Sequence, residues 1–224
     1  MFTRAIVRKP GWSMIDGLTS SNLGKPDYHL ALVQHAAYVE ALQGCGLDVI
    51  VMEADERYPD ATFVEDTALL TSQCAIITRP GAPSRQGEVG AVREVLQKYY
   101  GDLEVIREPG TVEAGDIMMV GTHFYIGLSA RTNRHGARQV IEILEKYGFS
   151  GSMIEVEDSL HLKTGVSYLE NNTLAATGSC LQVEEFQQYC ILEIEEDESY
   201  AANCIWVNGR VLVAKGYPRA ARMI

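Results

Sequence analysis

Residues 59–70 read PDATFVEDTALL, and this stretch predicts both the start of a strand and a charged pocket. Glu65 and Asp66 stand directly before the apolar run 67–70. Neighbouring side chains on a strand point to opposite faces, so one of the two carboxylates is expected to face a cleft. A carboxylate in such a place requires a cationic partner or several donors, and a planar guanidinium suits it well. An acidic strand end on the protein surface is the alternative interpretation.

Predicted hairpins continue this pattern along the chain. After the hairpin over 63–79, strand pairs with a polar turn are predicted over 117–129, 162–176 and 202–214, the last around Asn208-Gly209. Apolar residues at helical spacing predict helices over 26–46, 88–100 and 132–147, followed by single strands at 47–52, 103–106 and 152–156. The unit recurs about every 40 to 50 residues, which favours a propeller or a solenoid. The predicted class is α/β, in one domain over residues 1–224.

Polar residues open every predicted hairpin. In chain order they are Glu65 and Asp66, Glu113 and Asp116, His161, and Asn203 with Cys204. If the units surround an axis, the same end of each unit faces its centre, and the acid pair, one acid and the histidine are expected to converge there. A histidine beside a carboxylate is a general acid/base that works near neutral pH, and here the pair would be His161 and Glu113. A core histidine that is satisfied by backbone groups is the alternative for His161.

Other charged residues predict a zwitterionic ligand. Arg79 and Arg131 stand at strand ends before polar loops, where they are expected to hold an α-carboxylate. Asp60 would take the α-amine, and the adjacent acid pair would take a guanidinium tail. For each of the two arginines, a solvated side chain is the alternative. Arg85 is expected on the surface or beside a helix start.

The composition limits the classes of function. The formal net charge is −11 and no basic stripe stands out, so nucleic acid is not an expected partner. The first residues lack an apolar stretch of signal-peptide length, and no run approaches membrane-spanning length. The five cysteines show no C-x-x-C spacing, which favours a reducing, cytoplasmic location without disulfides or structural zinc. None of the five histidines has a partner at ligand spacing, so no metal is expected.

Several stretches together resemble the dimethylarginine dimethylaminohydrolase family, within the guanidine-modifying superfamily of arginine deiminases and amidinotransferases. They are DGLTSSNLGKPDY, PDATFVEDTA, ITRPGAPSRQGE, TVEAGDI, GLSARTN, LHLKTG, AANCIWVNG and KGYPR, between residues 16 and 219. The resemblance implies a five-module α/β propeller, the pentein fold. It also implies hydrolysis of a methylated arginine to citrulline and dimethylamine without metal or organic cofactor, through a cysteine thiolate and a covalent thiouronium.

The resemblance also implies roles for individual residues. His161 would be the general acid/base and Glu113 its carboxylate partner. Asp66 and Glu65 would bind the guanidinium nitrogens, and Asp60 with the backbone of Leu18 would bind the α-amine. Arg79 and Arg131 would bind the α-carboxylate, and Phe63 would form a wall of the pocket.

One departure from the family pattern concerns the nucleophile. The family's cysteine segment follows a further helix and strand, whereas this chain ends at residues 222–224, in what is expected to be that helix. The fifth module is therefore expected to be incomplete. Cys180 and Cys204 are weak candidates for the thiol, and ordinary core cysteines are the alternative for both. Arginine deiminase-type hydrolysis and an inactive module that binds arginine analogues are the alternative functions, and association into a homo-oligomer is a further expectation.

Overall fold

The computed structural model describes residues 1–19, 23–155 and 160–224. Val156, the predicted end of one strand, and residues 20–22 of the first matching stretch lie outside this part of the chain. The described strands are β1 (Arg4–Arg8), β2 (Asp48–Met52), β3 (Ala68–Leu70), β4 (Ala75–Ile77), β5 (Leu103–Val105), β6 (Ile117–Val120), β7 (His123–Leu128), β8 (Ser150–Glu155), β9 (Val166–Tyr168), β10 (Thr173–Ala176), β11 (Cys190–Glu193), β12 (Ile205–Val207) and β13 (Arg210–Leu212). The described helices are α1 (Tyr28–Gly44), α2 (Val89–Leu96), α3 (Arg134–Lys146), α4 (Leu162–Gly165) and α5 (Pro218–Met223).

Three sheets repeat one pattern, in the strand orders β3-β4-β5, β6-β7-β8 and β11-β10-β9. In each, an antiparallel hairpin is joined to a third strand that runs parallel to the second strand of the hairpin. A parallel pair needs a crossover connection. The helices α2 and α3 supply it in two sheets, and two 3₁₀ turns, Gly178–Gln182 and Glu184–Phe186, supply it in the third. The predicted repeat of hairpin, helix and strand is thus confirmed in two sheets, and in the third the 3₁₀ turns take the place of the helix.

Two further sheets have two strands each among the described residues. β1 and β2 are parallel, and β12 and β13 form a hairpin. The Asn208-Gly209 turn has the positive φ angles, 51° and 84°, that such a turn requires. Asn208 ties the last sheet to the first, because its Oδ1 accepts a hydrogen bond from the Phe2 N–H at 2.8 Å and its Nδ2 donates to Cys45 O at 3.1 Å. Among the described residues, each of these two sheets has one strand fewer than the other three.

Hydrophobic cores lie between the sheets and the helices. Phe124 and Ile126 of β7 pack with Val140 and Leu144 of α3, and all four are buried. The apolar side chains of α3 fall on one face because they recur at helical spacing. Complete burial of such side chains stabilises the fold by about 1.5–3 kcal/mol each. Among the described residues, no helix is both long enough and apolar enough to cross a bilayer.

Short helical turns precede the first strand of each hairpin. They are the 3₁₀ turns Val64–Thr67, Ala114–Asp116 and Glu196–Ala202, and the short helix α4. The strands predicted from 63, 162 and 202 therefore begin later, at 68, 166 and 205. The prediction that Glu65 and Asp66 lie on a strand was wrong, because a turn closes there with the Asp66 N–H donating to Phe63 O at 3.2 Å.

Candidate active site

Four ionisable side chains from three modules meet at these turns. Asp66 comes from the turn before β3. Glu113 directly precedes the turn before β6, and Asp116 is the last residue of that turn. His161 directly precedes α4. The predicted convergence of Asp66, Glu113 and His161 is observed. The three carboxylates are buried, Glu113 and Asp116 completely. A cluster of buried carboxylates with a histidine requires compensating donors and positive charge.

The His161 ring lies between carboxylates on both of its nitrogens. Nε2 is 3.4 Å from Glu113 Oε2 and 3.8 Å from Asp66 Oδ1, while Nδ1 is 3.3 Å from Asp116 Oδ2. Burial by itself lowers the pKa of His161. The hydrogen bond with Asp116 and the negative charges of Asp66, Asp116 and Glu113 outweigh burial, so the pKa lies above its ordinary value of 6.5. The ring is therefore poised to carry a proton near neutral pH.

Gly115 allows Asp66 and His161 to approach each other. Its N–H donates to Asp66 Oδ1 at 3.0 Å. A Cβ atom at this position would lie 2.7 Å from that oxygen and 3.0 Å from the His161 ring. Any residue other than glycine would have to displace one of the two groups.

Arg85 lies inside this cluster, so its expected place on the surface was wrong. The alternative, a place beside a helix start, is confirmed, because Arg85 belongs to the 3₁₀ turn Pro83–Glu88 that leads into α2. Its Nη1 donates to Asp66 Oδ2 at 2.7 Å and lies 3.4 Å from Glu113 Oε2. Its Nε and Nη2 donate to the buried carboxylate of Glu88, at 3.1 and 2.9 Å. Arg85 therefore supplies one positive charge that three buried acids share.

Glu113 is held from several sides. Its Oε1 accepts a hydrogen bond from the Gly81 N–H at 3.1 Å and from Arg131 Nη1 at 3.5 Å. Its Oε2 faces Arg85 and His161. Arg131, one of the two arginines predicted at the site, is thus brought against its central acid.

Arg79, the other predicted arginine, makes different contacts. Its Nη2 lies 2.6 Å from Glu108 Oε1, and its Nη1 donates to Gly110 O at 3.4 Å. Glu108 is largely exposed, whereas Glu113 is not. The structure therefore joins Arg131 to the buried acids and pairs Arg79 with a surface acid.

The predicted residues of segment 59–67 divide between an inner and an outer position. Asp60 is buried, and its carboxylate accepts a hydrogen bond from the Leu18 N–H at 3.0 Å, which brings together the two groups predicted for the α-amine. Phe63 is 57% exposed. The Glu65 side chain is 64% exposed, and its Oε1 lies 2.5 Å from Lys163 Nζ. Glu65 and Phe63 thus lie on the rim above the buried acids.

The two candidate nucleophiles lack the environment of an activated thiol. Cys180 packs in a hydrophobic cluster with Leu162 and Phe186, and burial raises its pKa to about 11. Burial also raises the pKa of Cys204, although a hydrogen bond with Ser167 opposes this effect. Activated thiolates have lowered pKa values, next to positive charge or a helix N-terminus.

One set of groups in the described part of the chain has the spacing of a metal site. Ligand atoms of Asp66, Glu113 and His161 lie within 4.8 Å of one another. The Arg85 guanidinium already contacts both of these acids. A second cation among the same oxygens would meet its repulsion, so the donor set fits a guanidinium better than a metal ion.

Three residues of the site were missed by sequence reasoning, namely Arg85, Asp116 and Lys163. Asp116 was noticed at the start of its hairpin but was given no role. The motif TVEAGDI places Glu113 and Asp116 three residues apart, which in a helical turn brings their side chains to one side. Two of the acids that Arg85 contacts, Asp66 and Glu113, lie 19 and 28 positions away, beyond the reach of any local pattern.

Comparisons with known proteins agree with this geometry. A family model described as "N,N dimethylarginine dimethylhydrolase, eukaryotic" matches residues 24–179. The N(G),N(G)-dimethylarginine dimethylaminohydrolase of Pseudomonas aeruginosa is 60% identical over 225 residues, which cover 100% of this chain and 89% of that protein. The protein of the same name from Streptomyces coelicolor is 33% identical, with 99% of this chain and 85% of that protein covered.

Solved structures extend the comparison to the fold. A cysteine-to-serine variant of the Pseudomonas aeruginosa protein, complexed with citrulline, superposes with a TM-score of 0.98 at 60% identity, covering 100% of this chain and 89% of that one. A histidine-to-glycine variant of a dimethylarginine dimethylaminohydrolase, in an adduct with S-methyl-L-thiocitrulline, also gives 0.98, at 59% identity with the same coverage. The N-terminal domain of a cyanobacterial arginine dihydrolase gives 0.82 at 16% identity, over 97% of this chain and 87% of that one, which is a likeness of fold alone. The expected α/β propeller of the pentein type is thereby confirmed.

Proposed function

Because the chain belongs to the dimethylarginine dimethylaminohydrolase family, we propose that its site serves the hydrolysis of Nω-methylated arginine to citrulline and dimethylamine. The observation that carries the proposal is the buried cluster of His161, Glu113 and Asp66, within a chain that is 60% identical over its whole length to a protein of that name. The citrulline complex and the thiocitrulline adduct of similar proteins support a small-molecule ligand of this class.

Substrate binding is proposed as follows. The guanidinium lies between Asp66 and the rim carboxylate of Glu65, since a carboxylate pairs with a planar cation through charge-assisted hydrogen bonds. Asp60 and the backbone of Leu18 receive the α-amine, which is supported by their direct contact. The α-carboxylate goes to Arg131 with Arg79, and the exposed ring of Phe63 forms one wall. The reaction as proposed requires no metal or organic cofactor.

The proposed chemistry follows the family scheme. A cysteine thiolate bonds to the guanidinium carbon, and the tetrahedral intermediate expels dimethylamine as His161 donates its proton to the leaving nitrogen. The neutral His161 then takes a proton from water, whose oxygen bonds to the same carbon, and the thiolate leaves as citrulline forms. Glu113 stabilises the protonated ring. We assign the attacking thiolate to neither Cys180 nor Cys204, because burial raises both pKa values.

The test combines calorimetric titration with a citrulline assay on the 224-residue chain. We expect asymmetric dimethylarginine to bind, L-lysine not to bind, and the Cys180→Ala and Cys204→Ala variants to bind as the unmodified chain does. A folded chain that does not bind dimethylarginine would overturn the proposal. Citrulline and ammonia from plain arginine, with no product from dimethylarginine, would replace it with deiminase-type activity. Citrulline release that either cysteine variant abolishes would overturn the assignment of these thiols.

We also propose a cytoplasmic location and self-association. The free state of all five cysteines in the structure supports a reducing compartment. Exposed apolar side chains on α1, among them Leu30 and Val33, support contact with a second copy. Light scattering that gives the mass of a monomer at all concentrations would remove the second proposal.

A further inference from the structure

We propose that Asp116 positions His161 by holding a proton on Nδ1, so that Nε2 is the nitrogen that exchanges protons with the substrate. The proposal rests on the proposed acid–base function of His161. The Asp116 carboxylate is completely buried, and its Oδ2 lies 3.3 Å from Nδ1. Nε2, on the other side of the ring, faces Glu113 and Asp66.

Hydrogen-bond donors from three residues hold the Asp116 carboxylate in place. Oδ2 accepts hydrogen bonds from the Ser129 hydroxyl at 2.7 Å and from the Thr132 hydroxyl at 2.6 Å. Oδ1 accepts one from the Leu162 N–H at 2.9 Å. In all three hydrogen bonds the carboxylate oxygens are the acceptors. Asp116 therefore presents an acceptor, not a donor, to the ring.

This acceptor determines the tautomer of His161. In neutral imidazole one nitrogen carries the proton and the other is an acceptor. With the accepting carboxylate of Asp116 on Nδ1, that nitrogen donates, and Nε2 is left to gain or lose the second proton. The charges that face the ring are those of Asp66, Glu113 and Asp116, with the Arg85 guanidinium behind the first two.

Asp116 also fixes the backbone that carries the ring. Leu162, which donates to Oδ1, is the next residue after His161 and is completely buried. One carboxylate thus restrains both the imidazole and the first turn of α4. The two restraints together prevent rotation of the ring away from Glu113. The contact between Nε2 and Glu113 alone would leave the other side of the ring unrestrained.

The test is a ¹⁵N NMR titration of the histidines in the folded chain, with His161 assigned through His161→Gln. In the unmodified chain we expect neutral His161 to carry its proton on Nδ1. In Asp116→Asn we expect a mixture of tautomers and a His161 pKa lower by about one unit, a tenfold change in the ratio of protonated to neutral ring. The exposed acid Asp102 supplies the matched control, Asp102→Asn, which should change neither quantity.

Two results would overturn the proposal. One is a proton on Nε2 of neutral His161 in the unmodified chain, which needs no variant to be stable. The other is a folded Asp116→Asn chain whose His161 tautomer and pKa are unchanged. Because neither readout depends on turnover, a chain that fails to bind dimethylarginine but shows the expected tautomer would count against the proposed function and leave the role of Asp116 standing.

Discussion

Asp66 and Glu65 are neighbours in the chain but belong to different regions of the site. Asp66 is buried, and its two oxygens contact the Gly115 N–H and the Arg85 guanidinium. Glu65 is mostly exposed and pairs with the single cation Lys163. The inner region is thus held by several partners from other modules, whereas the rim is held by one surface ion pair. Adjacent acids of one motif can therefore contribute unequally to the stability of the fold and to the affinity for a ligand.

The largest effect is expected for Arg85, which joins the inner acids. Arg85→Ala leaves Asp66, Glu88 and Glu113 buried without their shared cation. Removing one partner of a buried ion pair destabilises a protein by about 3–5 kcal/mol. Urea unfolding should show this loss, while Arg134→Ala, which breaks the exposed pair with Glu155, should have a much smaller effect. Equal losses of unfolding free energy in the two variants would contradict the distinction between the buried inner region and exposed ion pairs.

The next effect compares Asp66 and Glu65 directly. Asp66→Asn removes a fixed, buried charge from the proposed guanidinium site, and a hydrogen bond to a charged group is worth about 1.5–3 kcal/mol. We expect calorimetry to show dimethylarginine affinity reduced by about ten- to a hundredfold. Glu65→Gln removes an exposed charge, so a reduction below about fivefold is expected. A larger loss for Glu65 would make the rim the main binding element.

A third comparison separates the two arginines that are proposed for the α-carboxylate. Arg131 contacts buried Glu113, and Arg79 contacts exposed Glu108. We therefore expect Arg131→Ala to raise the dissociation constant of dimethylarginine more than Arg79→Ala does. Titration with agmatine, which lacks the α-carboxylate, supplies the control, because its affinity should fall less in either variant.

The smallest effect concerns pH, and His161 and His123 should respond with opposite sign. The folded pKa of His161 lies above 6.5, so its stabilising contribution is complete below pH 6.5 and is lost as pH rises through the folded pKa. Burial lowers the pKa of His123, so its contribution is complete above pH 6.5 and is lost as pH falls through the folded pKa. Urea unfolding from about pH 5 to about pH 9 should show these opposite trends. The loss in free energy of unfolding caused by His161→Gln should shrink as pH rises, and the loss caused by His123→Gln should shrink as pH falls. If both losses changed with pH in the same direction, the opposite pKa shifts of the two rings would be contradicted.

Much of the fold could be predicted because patterns within short segments of the sequence indicate the helices and hairpins of each module. Helical spacing identified α1, α2 and α3, and the Asn208-Gly209 pair identified the last hairpin. The strands β1 and β11 were not identified. The extent of one domain over residues 1–224 stays a prediction. Where the chain changes from turn to strand, the strand was predicted to start too early. Hydrogen bonds such as that from the Thr67 hydroxyl to Val64 O at 2.7 Å stabilise a helical turn there.

The site was predicted less completely, for a physical reason. Acids and a histidine at corresponding positions of a repeat indicate a shared centre, which is how Asp66, Glu113 and His161 were found. The partner of a buried charge is chosen by tertiary packing. Arg85 meets Asp66 across 19 positions, and Lys163 meets Glu65 across 98. Sequence alone gives no measure of such proximity.

The hydrogen bonds that cross between modules have a consequence for folding. The contact from Gly115 to Asp66 closes a loop of 49 residues, and that from Leu162 to Asp116 closes one of 46. Closing such loops costs entropy before the contacts repay it, so we expect the centre to assemble late, after the separate sheets have formed. A molecule that binds only the assembled centre would hold three modules together at once, and mass action would then extend its stabilising effect to all of them.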